Sequence, residues 1–287
     1  MKKRIQLVCA LLCLVLLLSA CGAPAVGSKT PSAAMPKADL NIWIPQIGKA
    51  DAILIWTKDN CVLIDAGEKG DAKMVLAKME ELSLPKIDVM IITHFDKDHV
   101  GGAAKILRSV PVDRVLQNNY PEDDYENQQY REALEKMGIQ PETLTSDLRF
   151  SLGEMKFTVK AARQDSYKKD ESNNFSLITE MVYGEKRFTF LGDAGSERLK
   201  EYDQTAPQAC DFVKMPHHGS WYKPLKNLML SLKPQYAVIT CSASMPEDAQ
   251  TAELLKSCQT EMYLTRSGDI QVASDGKTIA VTQTPAP

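Results

Sequence analysis

The chain has 287 residues, of which 44% are hydrophobic and 25% are charged. After the N-terminal segments described below, roughly 250 residues remain, which is enough for one large α/β domain with a full core. The formal charge of −3 provides no basic excess. This argues against a protein that binds nucleic-acid backbones tightly without sequence preference, although it still allows transient cleavage.

The N-terminus has the pattern of a bacterial lipoprotein signal peptide over residues 1–20. The positively charged segment Lys2–Arg4 precedes an apolar stretch, Ile5–Leu18, that is too short for a confident membrane-spanning helix. The following Leu18–Cys21 is typical of a lipobox, in which Cys21 takes a diacylglycerol and becomes the first mature residue. The alternative is an ordinary signal peptide cleaved after small residues. We therefore expect an exported protein, lipid-anchored to the outer face of a bacterial membrane.

A tether and one folded domain are expected after the signal. Residues 21–38 are rich in Ala, Pro, Ser and Gly, which predicts a flexible tether, and residues 39–287 form the domain. The domain contains four cysteines without CxxC spacing: Cys61, Cys210, Cys241 and Cys258. We interpret them as small buried hydrophobic residues rather than as a disulfide framework, which an exported location leaves open.

The first part of the domain predicts strands and then alternating helices and strands. The expected strands are apolar runs separated by turn-forming residues: Leu40–Ile44, Ala52–Trp56, Cys61–Ile64 and Ile87–Ile92. Asp71 is the expected N-cap of a helix that carries Val75, Leu76, Met79 and Leu82 on one face. A second helix is expected from Gly102 to Ser109.

The rest of the domain alternates in the same way. We expect a polar helix at about Glu122–Met137, a polar loop at Gln164–Asn174 and a helix at Glu247–Ser257. The expected strands are those near Phe150 and at Lys156–Val159, Ser176–Tyr183, Arg187–Leu191, Phe212–Met215 and Ala237–Thr240, and those near Met262, Ile270 and Ile279. Two strand-rich halves with helices between them predict two sheets packed face to face under outer helices.

All four histidines of the chain fall in two short clusters. The first cluster, Thr93–Gly102, follows a strand and has the pattern HxDxDH, formed by His94, Asp96, Asp98 and His99. Histidine and aspartate hold divalent ions in open, water-bearing sites. We expect an extended backbone to direct alternate side chains to one side and a turn to bring His99 round, and the spacing favours two neighbouring metals over one. The alternative is a polar loop before a helix.

Three further segments fit the same site, although each is a weak signal alone. Asp193 ends the strand that includes Leu191, a position suited to a carboxylate that bridges two ions. His217 and His218 are adjacent, so we expect one to bind metal and the other to meet the substrate. Asp65 also ends a strand, where it either fills a buried turn or orients a metal ligand.

Together these segments resemble the metallo-β-lactamase-fold hydrolases, in the branch of the C-terminal domain of ComEC-type competence proteins, as a stand-alone lipoprotein. The matching segments follow the family's order across nearly all of residues 40–287: Ile47–Ile55, Leu63–Gly67, Thr93–Gly102, Asn173–Leu177, Leu191–Asp193 and Pro216–Ser220. The resemblance implies an αββα sandwich of two mixed β-sheets flanked by helices. It also implies a dinuclear metal site between the two halves.

The resemblance further implies a role for each site residue. The ligands of the first metal would be His94, Asp96 and Asp193. The ligands of the second would be Asp98, His99, Asp193 and His218. Asp98 and His217 would be catalytic, and Asp65, Asn174 and Ser220 would orient ligands or contact the substrate. Because the first site has one histidine and several oxygens, the expected cofactors are two divalent ions, zinc or manganese, with magnesium as a further candidate.

The expected function is a membrane-anchored, metal-dependent hydrolase, a phosphodiesterase or nuclease-like enzyme that uses a hydroxide held by two metals. The expected substrate is a nucleic acid, a nucleotide or a phosphodiester polymer of the cell envelope. Trp221 and Tyr222 are expected either to line the mouth of the site or to pack under the next helix.

Two departures from the family limit this expectation. Relatives carry an Asn-x-Tyr-Gly-His-Pro stretch where this chain has Cys241–Pro246, so a histidine is missing and nuclease activity does not follow. The ligands of the first site also differ from those of β-lactam-degrading enzymes. The alternative function is a non-catalytic lipoprotein that uses the same cleft for ligand or partner binding. The complete set Asp98, His99, Asp193 and His218 disfavours it.

Overall fold

The computed structural model describes residues 39–285. The predicted signal peptide, the predicted tether and Cys21 lie outside the described residues, so the domain boundaries stay a prediction. Within residues 39–285, no helix combines the length and the apolar character needed to cross a membrane.

The described chain forms fifteen strands and eight α-helices. The strands are β1 Leu40–Ile44, β2 Ile53–Trp56, β3 Cys61–Ile64, β4 Val89–Ile92, β5 Val115–Gln117, β6 Glu142–Thr143, β7 Leu148–Leu152, β8 Met155–Lys160, β9 Ile178–Tyr183, β10 Lys186–Phe190, β11 Phe212–Lys214, β12 Tyr236–Ile239, β13 Glu261–Leu264, β14 Ile270–Ser274 and β15 Ile279–Gln283. The helices are α1 Ala72–Glu81, α2 Lys97–Val100, α3 Ala103–Leu107, α4 Tyr125–Met137, α5 Glu171–Asn174, α6 Ser196–Asp203, α7 Leu225–Leu232 and α8 Ala249–Ser257.

The strands form two mixed sheets. The first has the order β15-β14-β1-β2-β3-β4-β5-β6, and the second has the order β13-β12-β11-β10-β9-β8-β7. Strands β3 to β6 are parallel to one another, and so are β10 to β13. The remaining neighbours in both sheets are antiparallel.

The central strands of each sheet are buried on both faces, which explains why they are almost uniformly apolar. Side chains alternate along a strand, so Ile53 and Ile55 of β2 pack between the sheets, whereas Leu54 and Trp56 pack beneath helices. The outer face of the first sheet is covered by α1, α3 and α4, and that of the second by α6, α7 and α8. The fold is therefore the predicted αββα sandwich.

Several element boundaries differ from the prediction. The polar helix begins at Tyr125 rather than near Glu122, because the side chain of Asp124 accepts a hydrogen bond from the Asn127 amide and caps the helix there. Asp71 does occupy the N-cap position of α1, but its carboxylate accepts from the Glu68 amide instead of from the helix.

Some elements carry no clear local signal and were not predicted. Strands β5 and β6 have only 3 and 2 residues, and helices α6 and α7 are short. Helix α5 lies within the segment expected to be a loop. The four cysteines of the domain are free, and all except Cys258 are buried, as the sequence favoured.

Candidate metal centre

The candidate site lies where the parallel strands of both sheets reach their carboxyl ends. Asp65 follows β3, His94 follows β4, and Asp193 follows β10 after a two-residue turn. His218 follows β11, and Thr240 follows β12. Ligand sites in α/β folds form at this edge because parallel strands deliver their following loops to one place.

The first histidine cluster is only partly extended. Asp96 has an extended backbone, with φ −64° and ψ 145°, and helix α2 begins at the next residue. Asp98 and His99 therefore project from a helical turn, not from an extended strand as expected. We expected the chain to turn only at His99, but the turn begins two residues earlier, at Lys97. The prediction of an extended backbone therefore holds only through Asp96.

The two glycines after this cluster allow helices α2 and α3 to sit directly against the loop that follows β3. A Cβ atom on Gly102 would lie 2.1 Å from the carbonyl oxygen of Ala66, and one on Gly101 would lie 2.3 Å from that of Lys97. Only glycine allows both approaches without displacing backbone. The backbone amide of Ala66 in turn donates to the His99 carbonyl over 2.7 Å.

The second histidine cluster has an unusual backbone. His217, His218 and Gly219 have successive φ angles of +43°, +53° and +84°. Left-handed conformations cost energy for residues with a side chain, and they persist where surrounding contacts enforce them. This turn gives the two adjacent imidazoles different surroundings. The His218 side chain is 2% exposed, whereas the His217 side chain is 20% exposed.

Four predicted site residues converge in the buried part of the site. His218 Nε2 lies 3.0 Å from Asp193 Oδ2, 3.4 Å from Asp98 Oδ2 and 3.4 Å from His99 Nε2. His99 Nε2 lies 3.3 Å from Asp193 Oδ1. The four residues come from three distant segments of the chain, so only the packing of the two sheets brings them together.

His94 and Asp96 form the outer part of the site. The ring of His94 lies 4.0 Å from that of His99, centroid to centroid, and His94 Nε2 lies 3.7 Å from Asp96 Oδ2. The Asp96 side chain is 39% exposed, and its Oδ1 accepts a hydrogen bond from Ser172 Oγ over 2.7 Å. None of the three groups of closely spaced ligand atoms among the described residues includes Asp96.

Among the described residues, three side-chain groups have ligand atoms close enough to hold an ion. The groups are His94–His99–Asp193, Asp98–His99–His218 and Asp51–Asp65–His99. The second group matches three of the four ligands expected for the second metal. The first group contains His94 and Asp193, but has His99 where Asp96 was expected.

Hydrogen bonds from behind orient the histidines. Asp65 Oδ2 lies 2.8 Å from His99 Nδ1 and accepts from Thr93 Oγ1, while Asp65 Oδ1 accepts from the Thr93 amide. His218 Nδ1 lies 3.0 Å from Thr240 Oγ1. These contacts leave the Nε2 atoms of both rings directed toward the site, and they give Asp65 the orienting position considered for it.

Three other candidate residues have different surroundings. Asn174 Oδ1 accepts from the Arg198 amide and its Nδ2 donates to the Lys169 carbonyl, so both polar ends of this side chain hold the local loop and helix α6 together. Ser220 ends the histidine turn, and its amide donates to the His217 carbonyl. His217 Nδ1 lies 2.5 Å from the Tyr222 hydroxyl, while its Nε2 lies 3.9 Å from Asp193 Oδ2.

The buried histidines and carboxylates of the site shift one another's pKa values. Burial opposes the protonated form of His99, but the carboxylates of Asp193 and Asp65 raise its pKa well above the ordinary value. Burial likewise opposes ionisation of Asp193, but His218 and His99 lower the pKa of that carboxyl well below its usual range. His217 differs, because burial lowers its pKa.

Sequence reasoning did not single out two buried charged residues next to the site. Lys214 and Asp51 form an ion pair, and both are essentially inaccessible to solvent. The available signal was a lysine inside the otherwise apolar segment Phe212–Met215, where a central buried strand should not carry an unpaired charge.

The donor set fits divalent ions. His94 Nε2 is buried and has no hydrogen-bond partner among residues 39–285, and Asp193 Oδ1 accepts no hydrogen bond there either. Buried polar atoms without partners are rare and require an explanation such as an ion. The Nε2 atoms of His99 and His218 face each other over 3.4 Å beside the Asp193 carboxylate, and imidazole nitrogens are common ligands of divalent ions.

The chain resembles known proteins in both sequence and fold. Residues 47–242 match the family model described as the metallo-beta-lactamase superfamily. The chain is 23% identical over 169 residues to ComE operon protein 3 of Bacillus subtilis, covering 58% of this chain and 22% of that protein. The chain thus spans about a fifth of the length of this relative.

Two solved structures share the fold. The metallo-beta-lactamase fold protein YhfI from Bacillus subtilis superposes with a TM-score of 0.51 and 13% identity, covering 81% of this chain and 99% of that one. CmlA, a diiron beta-hydroxylase from Streptomyces venezuelae, gives a TM-score of 0.56 and 12% identity, covering 83% of this chain and 54% of that one.

The superfamily includes metal-dependent hydrolases that use divalent metals. The match to its family model covers more than half of the chain, and the two sheets, their flanking helices and the clustered histidines and aspartates are those of the fold. The chain belongs to the metallo-beta-lactamase superfamily.

Proposed function

We propose that the chain is a metal-dependent hydrolase of phosphodiester bonds. The observation that carries this proposal is the convergence of Asp98, His99, Asp193 and His218, whose ligand atoms meet within 3.0 to 3.4 Å of His218 Nε2 or of one another. A purely structural cluster would instead pair each buried imidazole with its own acceptor and would leave no unpartnered nitrogen such as that of His94.

Two divalent ions fit the donor atoms present. Asp98, His99, Asp193 and His218 would hold the inner ion, and His94 with Asp193 would hold the outer one, with Asp96 as a more exposed ligand. Ions bound at these residues would supply Lewis acidity and neutralise charge on the attacking and leaving oxygens of a phosphodiester.

His217 is placed to act on the substrate rather than on an ion. Its ring is partly exposed, and its Nδ1 contacts the Tyr222 hydroxyl. When Tyr222 donates to Nδ1, the ring proton of the neutral imidazole sits on Nε2, the nitrogen nearer to Asp193. Burial lowers the pKa of His217, which favours this neutral form. His217 can then donate a hydrogen bond to the leaving-group oxygen.

The proposed ions are zinc or manganese, with magnesium as a further candidate. The proposed inner set of Asp98, His99, Asp193 and His218 has two imidazoles and two carboxylates, which suits zinc. The proposed outer set of His94, Asp96 and Asp193 has one imidazole and two carboxylates, and is therefore richer in oxygen. Oxygen-rich sites shift the preference toward manganese and magnesium. The inner ion should therefore be held more tightly than the outer one.

The proposed substrate is a phosphodiester in a nucleic acid, a nucleotide or an envelope polymer. Similarity to ComE operon protein 3 supports the choice of this branch of the superfamily. Tyr222 stacks on the His217 ring, and both Trp221 and Tyr222 pack partly against the helical layer. The proposed location is the outer face of a bacterial membrane, reached through lipid on Cys21.

The test is an activity panel on purified protein reconstituted separately with zinc, manganese and magnesium. The substrates are a generic phosphodiester, single- and double-stranded DNA, a phosphorylcholine ester and a β-lactam. We expect hydrolysis of a phosphodiester, and we expect Asp98→Ala and His218→Ala to abolish it while far-ultraviolet circular dichroism stays unchanged, because removal of either ligand breaks the inner group.

The matched control is Asp59→Ala, which removes an exposed carboxylate outside the site. It should retain the wild-type rate. Near-wild-type turnover in Asp98→Ala or His218→Ala would contradict the assignment. A chain that binds no metal, hydrolyses none of the substrates and still binds an envelope component would favour a non-catalytic ligand-binding lipoprotein.

A further inference from the structure

A fully buried lysine lies directly beneath the proposed metal ligands. Lys214 is the last residue of β11, and its side chain is 0% exposed. Its ammonium forms an ion pair with the Asp51 carboxylate, lies 3.8 Å from Asp193 Oδ1 and donates to the Gly192 carbonyl over 3.4 Å. The positive charge of Lys214 thus faces the carboxylate that would be shared by both ions.

Asp51 connects this lysine to the histidines on the other side of the site. Its Oδ1 accepts from Thr240 Oγ1 over 2.6 Å and lies 3.7 Å from His218 Nδ1. Its Oδ2 lies 3.9 Å from His99 Nδ1. The backbone of Asp51 also takes part, because its amide donates to the Asp98 carbonyl over 3.0 Å.

Burial of both charges argues for a role beyond stability. Desolvation of an ammonium and a carboxylate costs several kcal/mol for each ion, and well-packed apolar residues often replace such pairs without loss of stability. Phe212, which lies on the same face of β11 as Lys214, is apolar and fully buried between the sheets, so an apolar residue at position 214 is compatible with this face of the strand. We therefore look for the role of the Asp51–Lys214 pair in its neighbours, the proposed metal ligands.

The formal charges of the site indicate that the pair affects how the site binds divalent ions. Five carboxylates surround or line the site: Asp51, Asp65, Asp96, Asp98 and Asp193. With the single ammonium of Lys214 they leave four formal negative charges, which two divalent ions neutralise. Without Lys214 the carboxylates would carry an excess negative charge even when both ions are bound.

We propose that Asp51 and Lys214 are positioning residues that hold Asp193 and His218 in place and set, by their opposite charges, the affinity of the site for divalent ions. This proposal rests on the metal-dependent function proposed above. Lys214 occupies one side of the Asp193 carboxylate, and this leaves the other side for cations. Asp51 holds the Lys214 ammonium away from the ion positions and, through Thr240, fixes the His218 ring.

The proposal predicts effects of opposite sign for the two residues. Asp51→Asn releases the Lys214 ammonium from its counterion, so its charge repels incoming cations and competes with them for Asp193. Lys214→Met removes that competition, so the affinity for cations rises although the metal-free protein becomes less stable. A pair that served only to pack the two sheets would lower metal affinity whichever member was replaced.

The experiment measures the zinc affinity of the intact domain by competition with a chromophoric chelator. We expect Asp51→Asn to bind zinc about 10- to 100-fold more weakly than the wild type, as is usual when a residue supporting the ligands is removed. We expect Lys214→Met to bind zinc more tightly than the wild type. The double variant Asp51→Asn/Lys214→Met should bind more tightly than Asp51→Asn alone, because it lacks the unpaired ammonium.

The control is Glu201→Gln, which breaks the buried pair of Glu201 with Arg198 outside the site. It should lower thermal stability and leave zinc affinity unchanged. If Lys214→Met does not fold, the comparison of Asp51→Asn with the double variant decides the question. Equal zinc affinities in those two variants, or weaker binding by a folded Lys214→Met, would overturn the proposal.

Failure of this proposal can be distinguished from failure of the proposed function. A wild-type chain that binds none of zinc, manganese and magnesium would contradict both. A wild-type chain that binds zinc and hydrolyses a phosphodiester, but whose affinity falls in both single variants, would contradict only the role of the charge pair.

Discussion

His99 shows how a single buried residue can couple protonation to metal binding. Its Nδ1 is held by Asp65, and its Nε2 faces Asp193 and His218. In the metal-free protein these carboxylates raise the pKa of His99 well above its ordinary value, despite the opposing effect of burial. The folded chain therefore retains a proton that the unfolded chain releases near pH 6.5.

The resulting prediction concerns the stability of the metal-free protein against pH. Because the folded-state pKa of His99 is raised, its contribution to the free energy of unfolding is fully present below about pH 6.5 and is lost as the pH rises through the raised value. The pKa of His218 is raised in the same direction. We expect the melting temperature of the metal-free protein to fall between about pH 6.5 and pH 8, a window below the titration of cysteine.

Two measurements check whether deprotonation of His99 causes the fall in melting temperature. Zinc affinity should rise over the same pH interval, because a histidine must lose its proton to bind a metal. His99→Gln, which cannot titrate, should flatten the fall in melting temperature even though the variant is less stable at every pH. A metal-free protein whose melting temperature rises over this interval would show that the buried imidazoles are neutral.

At the scale of elements, the glycine pair after the first cluster determines how close α2 and α3 come to β3. We predict that Gly102→Ala destabilises the fold by about 1–3 kcal/mol, the usual cost of overpacking. The physical reason is that the new methyl group would lie 2.1 Å from the Ala66 carbonyl oxygen, so backbone must move. Urea denaturation measures the loss, and zinc affinity should fall with it because His99 lies on α2.

Gly70→Ala is the matched control, since a Cβ atom at position 70 meets no heavy atom within 4 Å. It should leave both stability and zinc affinity near the wild-type values. Equal behaviour of the two variants would mean that the loop after β3 accommodates a side chain at position 102 by a small rigid shift.

The elements also show what local sequence can predict. Runs such as Ile53–Trp56 are apolar on both faces because a sheet and a helix cover them, and their strands were predicted. Strand β6 was not predicted from the sequence, because it consists of two exposed residues that pair only with β5. Helix α6 was missed because its sequence is polar and its buried members include Arg198, which is satisfied by partners far along the chain.

In the site, too, local sequence patterns could be predicted and contacts between distant segments could not. The pattern from His94 to His99 identified most of the expected ligands, because a metal site leaves a local concentration of histidine and aspartate. The ion pair of Asp51 with Lys214 joins residues 163 positions apart and depends on how the two sheets face each other. No local pattern encodes such a pairing, although a lysine in an apolar strand signals that some partner exists.

At the scale of the whole molecule, we predict that Cys21 alone attaches the folded domain to a membrane. In the proposed arrangement the attachment precedes the folded domain, because Cys21 lies before residue 39. Acyl chains on Cys21 would contribute about 0.8 kcal/mol for each buried methylene. The full chain, expressed in a bacterium that processes lipoproteins, should partition into the detergent-rich phase on Triton X-114 separation, and Cys21→Ala should move to the aqueous phase.

Cys258→Ala is the control for this experiment, because Cys258 is a free, partly exposed cysteine within the domain. It should partition like the wild type. Purified Cys21→Ala should also hydrolyse a soluble phosphodiester at the wild-type rate, since the proposed metal ligands all belong to the described domain. Retention of Cys21→Ala in the detergent phase would place the attachment in the apolar stretch Ile5–Leu18 instead, and the protein would then be held by an uncleaved signal segment rather than by lipid.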